Sequence, residues 1–299
     1  MKRSGFVRFI LVVLILSFSL TGCVEYEKSG RKEQVTSVNP EQSTIIATSM
    51  AVVTICEKLN LPLAGVPSSE LSEVPEMYKD LPEIGKAMAP DMEKVAVLRP
   101  EWILSPVSLI ADLKPKYEAI GADYAFLNLN SVQGMYKSIQ QLGTLFQREE
   151  EAEALVDEFE RYYKKYRKKH KNKEPKKVLI LMGLPGSYVV ATPKSYVGSL
   201  VELAGGINVY ADEEKDFVNI NTEDMLKQDP DVILRCAHAL PDQVTEMFGK
   251  EFKTNDIWKH FDAVKNDEVY DLSYEYFGMS ATFDHPKALK ELEPILYGD

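Results

Sequence analysis

The sequence of 299 residues predicts an α/β protein built as two Rossmann-like lobes joined by a single long α-helix. Three observations carry that expectation. Residues 147–173 place acidic side chains in front, basic ones behind, and Leu155, Val156, Phe159, Tyr162, Tyr163 and Tyr166 at three-to-four spacing, which reads as a long, half-exposed helix aligned with its own macrodipole. On both sides of it short apolar β-like runs alternate with helical ones, the pattern of mostly parallel sheets. Each side also contains one place where a helical run meets Pro, then an acid, then an aliphatic strand: Leu98-Arg99-Pro100-Glu101-Trp102-Ile103-Leu104 and Asp229-Pro230-Asp231-Val232-Ile233-Leu234. Proline ends a helix and cannot disturb a ladder that starts after it.

In chain order, the amino-terminal lobe (41–146) is expected to hold strands at 43–47, 63–66, 102–105 and 124–127, with helices near 50–59, 91–98, 115–120 and 132–146. The linking helix follows at 147–173. The carboxy-terminal lobe (174–299) repeats the alternation, with strands at 177–182, 189–191, 232–235 and 269–271 and helices near 197–204, 222–228, 242–250, 257–261 and 286–296. Gly205-Gly206 supplies positive φ where one helix stops and the chain turns back.

Residues 1–22 read as a signal peptide, in which Lys2, Arg3 and Arg8 flank an apolar run of about a dozen residues, short of the roughly 20 that span a bilayer. Leu20-Thr21-Gly22-Cys23 resembles the bacterial lipobox. That resemblance implies that Cys23 is diacylated and becomes the first mature residue, two acyl chains being what stable anchoring requires. Residues 23–40 then form a lipidated start and a flexible polar tether. Cleavage leaves 32 basic against 46 acidic residues, a net charge of −14, which argues against nucleic-acid binding. It leaves an anionic ligand open, because local donors govern a buried site. Cys56 and Cys236 could pair, and read as buried small hydrophobes in a body large enough to need no disulfide.

Leu81-Pro82-Glu83-Ile84-Gly85, Met92-Glu93-Lys94-Val95, Leu203-Ala204-Gly205-Gly206-Ile207-Asn208-Val209 and Asn221-Thr222-Glu223-Asp224-Met225 complete a layout that resembles the helical-backbone class of solute-binding proteins of ABC importers for siderophores, cobalamin and haem. The resemblance covers essentially the whole mature chain, and each of these pieces reads as scaffold. Longer stretches, 178–188, Ala191-Thr192, Lys194-Ser195-Tyr196 and 252–272 with Asn255-Asp256-Ile257-Trp258-Lys259-His260-Phe261, are similar to the haem-receptor lipoproteins of iron-regulated surface determinant systems. This implies a ligand cleft between the lobes and haem b (iron protoporphyrin IX) as transported ligand. It also implies an ABC-importer permease as partner, an upstream cell-surface haem-binding protein as donor, a monomer, a lipid-anchored place on the outer face of the cytoplasmic membrane of a Gram-positive cell, and no catalysis.

In that family the haem iron lies between a methionine of one lobe and a histidine of the other. The matching positions are Met88, in Ile84-Gly85-Lys86-Ala87-Met88-Ala89-Pro90, and His238, in Leu234-Arg235-Cys236-Ala237-His238-Ala239-Leu240-Pro241, where small residues replace bulkier ones around the histidine. Thioether and imidazole on opposite porphyrin faces make a six-coordinate iron and favour its reduced state. A methionine is usually a core gap-filler, but Met88 stands in an irregular Ala-rich loop. Among the histidines, His170 reads as a solvated cation in a lysine-rich helix end, His260 as packing beside Trp258, and His285 as a helix-start residue. Only His238 follows a strand of the second lobe, where open α/β sheets deliver loops to clefts.

Further candidates complete the expected site. Backbone N–H groups around Ser49, Met50 and Ala51 would receive haem propionates, and the turn with Ser187 and Tyr188 would lie near the cleft. Asp112 and Glu202 are the candidates for docking to the permease. A ferric siderophore or cobalamin receptor is the nearest rival, since those ligands need no axial methionine. A zinc or manganese receptor would want three or four close His, Asp or Glu ligands. For a haem- or metal-processing enzyme no catalytic motif stands out, and Gly183-Leu184-Pro185-Gly186-Ser187 lacks the Lys-Ser/Thr ending of a phosphate loop.

Overall fold

The computed structural model describes residues 25–27, 38–69 and 72–298. The expected leader (1–22) and Cys23 lie outside the described residues. The first lobe contains β1 (Glu25–Glu27), β2 (Ile45–Ala47), α1 (Met50–Lys58), β3 (Leu63–Gly65), β4 (Gly85–Lys86), β5 (Ala89–Pro90), α2 (Met92–Leu98), β6 (Trp102–Pro106), α3 (Ile110–Ile120), β7 (Asp123–Leu127) and α4 (Val132–Leu145). Its sheet runs β1-β7-β6-β2-β3, parallel except for β1. Within the stretch expected to be a free tether, Glu25–Glu27 instead pair with β7, whose outer edge offers unpaired backbone groups.

α5 (Glu149–His170) then leads to the second lobe, built from β8 (Lys177–Leu184), β9 (Ser187–Ala191), α6 (Tyr196–Ala204), β10 (Ile207–Asn208), β11 (Phe217–Val218), α7 (Thr222–Lys227), β12 (Val232–Ala237), α8 (Pro241–Thr254), α9 (Asp262–Lys265), β13 (Val269–Asp271) and α10 (His285–Tyr297). Its sheet runs β11-β9-β8-β12-β13, with β10 also on β8. β6 is buried along its whole length and β8 along most of it, because helices cover both faces, which is why these strands read as unbroken apolar runs.

Polar caps set half of the ten α-helix starts among the described residues. Ser49, Ser131, Ser195 and Asn221 each accept a backbone N–H with the side chain, and Asp91 accepts two. Both Pro-acid motifs follow a residue in the left-handed region, Arg99 at φ 51° and Asp229 at φ 50°, so the two lobes end this helix in the same way. α3 starts at Ile110 rather than near 115 and holds Pro115 inside it. The Ala111 carbonyl that loses its partner is on an exposed side, where water can take it.

α5 binds the lobes together through its aromatic face. Tyr136 of α4 stacks on Phe159 at 4.4 Å, and His285 meets Tyr136, Phe159 and Tyr162 edge-on. Beside this cluster Ala281 N–H donates to the Leu129 carbonyl at 2.7 Å and Asn130 Nδ2 donates to Asp216 at 2.8 Å. The lobes are therefore fixed by packing as well as by one covalent helix.

His170 corrects its expected role. It is buried, stacked on Tyr297 at 4.4 Å, with Nε2 against Glu293 at 3.0 Å, because α10 covers the end of α5. His260 is exposed instead of packed on Trp258, which is filled in by Phe252 and Phe261. Cys56 and Cys236 are free and buried, and burial pushes both thiols far up, out of the reactive range.

Candidate functional site

The carboxyl ends of the two sheets deliver the loops that matter. Beyond β3, Val66 bridges Glu83 and Ser68 N–H donates to the Gly85 carbonyl at 2.9 Å, which extends this end of the sheet into the hairpin β4–β5. Gly85 sits at φ 93°, and a Cβ there would meet the Asp91 nitrogen at 3.1 Å, so the tight return requires glycine. Ala87 and Met88 form the hairpin tip, and Met88 is 69% exposed while Met135, Met182 and Met225 are buried in the core. A thioether held out on a two-residue turn has no packing role.

His238 stands one residue beyond β12, with its backbone N–H on the Gly183 carbonyl at 2.9 Å. Its ring is half-buried, and Nδ1 is shut off from solvent without a hydrogen-bond partner among the described residues. That leaves Nε2 as the outward nitrogen. An imidazole so placed gains little by donating inward and is available to a ligand in front of it.

Between the loops lies a cleft of about 540 Å³, a size suited to a small organic ligand. Its two walls differ. Ser68, Ser69, Glu83 and Lys86 line the first lobe's side, while Ala239, Leu240, Pro241 and Tyr274 line the second's. Leu240 is 54% exposed and adopts φ 49°, a strained conformation for leucine, at the head of α8. A larger cavity, about 810 Å³, opens at the opposite end of the second sheet among Lys173, Asp229, Asp231 and Asp262 and contains neither loop. Among the described residues no three His, Cys, Asp or Glu side chains gather to hold a bare metal ion.

The other candidates fall in different places. Ser49 caps α1 at the carboxyl end of β2, its hydroxyl taking the Val52 N–H, with Met50 and Ala51 in the first turn. Ser187 is exposed beside the β8–β9 turn at the same end of its sheet as His238. Tyr188 is turned into its own lobe, donating to Glu251 at 3.2 Å, the oxygen that also takes Asn255 Nδ2 and Trp258 Nε1. Its hydroxyl is thereby committed to scaffold.

Asp112 and Glu202 are exposed but not equivalent. Asp112 begins α3 at the carboxyl end of β6, whereas Glu202 ends α6, just before the chain re-enters beside Lys177 at the amino end of β8. Although Glu202 is exposed as a residue, the packing around its carboxyl partly desolvates it and raises it above its usual range. Glu93 and Glu223 are the acids that match: each is exposed, two residues after an Asp or Asn cap, in the first turn of the helix that leads into a Pro-acid-strand motif. Aligning the two internal repeats by their prolines would have found the pair in the sequence. The Ser68, Ser69 and Lys86 wall carried no such signal, because only the hairpin fold brings those residues together.

The chain is similar to known proteins over nearly its whole length. The family model described as "Periplasmic binding protein" matches residues 45–276. The high-affinity heme uptake system protein IsdE of Staphylococcus aureus (strain Newman) is 41% identical over 294 residues, 98% of each chain. Among solved structures, IsdE of S. aureus complexed with heme superposes with a TM-score of 0.80 at 44% identity, over 86% of this chain and 99% of that one. An ABC transporter substrate-binding protein from Listeria monocytogenes EGD-e superposes with a TM-score of 0.82 at 45% identity, again over 86% and 99%. With two lobes, a cleft at their strand ends and this likeness across nearly its whole length, the chain belongs to the periplasmic binding protein family.

Proposed function

We propose that this chain is the haem-binding component of an ABC importer, holding haem iron in the interlobe cleft between Met88 and His238. The observation that carries the reading is a single cleft with one wall from each lobe, lined by Lys86, two residues before Met88, and by Ala239, the residue after His238. Two protein ligands cannot satisfy a bare ion, but porphyrin supplies four nitrogens and leaves two axial places. The unlike walls also suit an amphipathic ring: its face would lie on Leu240, Pro241 and Tyr274, and its propionates would reach Lys86, Ser68, Ser69 and the first-turn N–H groups of Met50 and Ala51. A hydrophilic ferric siderophore would leave the apolar wall unmatched.

Both walls come from one chain, so a monomer is complete. Haem would arrive from a haem-binding protein at the cell surface and leave through the permease, with the exposed pair Glu93 and Glu223 meeting it in preference to Asp112 and Glu202. The role of these residues would be to bind the ligand and release it. The chain would be held at the outer face of the membrane through acylated Cys23. Among the described residues no helix is long and apolar enough to cross a bilayer. Cys23→Ala should move the protein from the membrane fraction to the medium, and retention in the membrane would contradict the lipid anchor.

Met88→Ala tests the site. Because the side chain is exposed, stability should be unchanged, while haem affinity falls about tenfold or more and the six-coordinate spectrum gives way to a five-coordinate one. An unaltered spectrum would remove Met88 from the iron. Leu240→Gly should separate function from folding. Relief of the left-handed strain should leave the fold as stable or up to about 1 kcal/mol more stable, yet haem should bind about tenfold more weakly as the apolar wall is lost. Leu240→Asn, which tolerates the same backbone, should show the same loss of affinity; full affinity in both variants would mean that Leu240 does not touch the ligand.

A further inference from the structure

Residues 161–177 contain ten Lys and Arg against one acid, Glu174, in a chain whose net charge is −11. At 3.6 residues per turn, Arg161, Lys164, Lys165 and Lys168 fall within about 100° of arc on α5. Phe159, Tyr162, Tyr163, Tyr166 and His170 occupy the opposite side, where they pack on α4 and α10. The four cations are exposed and form no ion pair among the described residues, whereas Lys169 and Lys176 beyond them are paired with Glu293 and Glu268. The helix dipole accounts for cations in the last turn. It does not account for Arg161, Lys164 and Lys165, which lie further back.

We propose that this stripe is a docking surface for an anionic phospholipid bilayer. The setting rests on the reading that Cys23 anchors the chain beside a membrane, but the surface itself does not. An acidic body near an anionic bilayer is repelled unless it presents a basic face, and a basic stripe gathers anionic headgroups electrostatically. The stripe continues toward Lys177, at the amino end of β8, while His238 meets Gly183 about 20 Å further along the same strand. A bilayer on the stripe therefore leaves the cleft uncovered.

The test uses the chain from Val24 onward, made without lipid, sedimented with vesicles of phosphatidylcholine alone and of phosphatidylcholine mixed with phosphatidylglycerol. Binding to the mixed vesicles should be about tenfold tighter or more and should fall as salt is raised. R161E/K164E/K165E/K168E should bring it down to the phosphatidylcholine level, as should the milder R161Q/K164Q/K165Q/K168Q, with melting temperatures unchanged. K250E/K253E, on exposed lysines elsewhere, should leave it intact. Equal binding to both vesicles, binding insensitive to salt, or full binding by a folded quadruple variant would overturn the proposal. None of these outcomes depends on haem or on acylation, so failure here and failure of the haem reading are separate results.

Discussion

His238→Ala is expected to lower haem affinity by about a hundredfold or more and to abolish the low-spin spectrum, with no loss of fold stability. The ring lies one residue beyond β12 and makes no hydrogen bond among the described residues, so its removal costs the scaffold little. Its loss should exceed that of Met88→Ala, since imidazole is the stronger ligand and the strand end holds it in place. Absorption titrations of the two variants side by side check the order. A retained six-coordinate spectrum in the His238 variant would mean that another residue supplies the nitrogen.

Acid is expected to weaken the fold through His285, at the head of α10. This ring is 2% exposed against Tyr136, Phe159 and Tyr162, and burial pushes its pKa down from 6.5 to about 4 despite the Thr282 carbonyl and the neighbouring Asp284. Between those two pH values the unfolded chain binds a proton that the folded chain refuses, so stability falls as pH drops through 6.5 and levels off below about 4. At about 1.4 kcal/mol per pH unit the loss approaches the order of 3 kcal/mol. Urea unfolding at about pH 7 and about pH 4.5 should show it, and His285→Leu should lose much of that slope. An equal slope in the variant would place the acid sensitivity elsewhere. The cluster joins α4, α5 and α10, so acid should loosen the seam between the lobes first.

Much of this was legible in the sequence because local chemistry dictated it. Prolines after helix ends and the period of α5 each act within a few residues, and the strands covered on both faces announced themselves as apolar runs. What stayed hidden depends on distant contacts. His170 looked solvated among lysines, and only the packing of α10 buries it. The hairpin carrying Met88 is two residues per strand, too short for a period, and is held by its bonds to Ser68 and Ile84. Leu240 gave no sign of its left-handed backbone, since leucine rarely adopts it, and Tyr188 looked free for a ligand until Glu251 claimed its hydroxyl. The positions of Met88 and His238 came from family likeness; the structure adds that the thioether is exposed, that the imidazole Nδ1 is buried without a partner among the described residues, and that their chain neighbours Lys86 and Ala239 line one cleft.

The most direct test of the central claim is an absorption titration of the chain from Val24 onward with haemin, in ferric and dithionite-reduced states, with a ferric siderophore and cobalamin run in parallel. Saturation at one haem per chain, with a low-spin spectrum and a thioether-to-iron charge-transfer band in the ferric state, is the expected result. Failure to saturate with haem, or tighter binding of either control, would contradict the account and return Met88 and His238 to ordinary loop residues of a receptor for another solute.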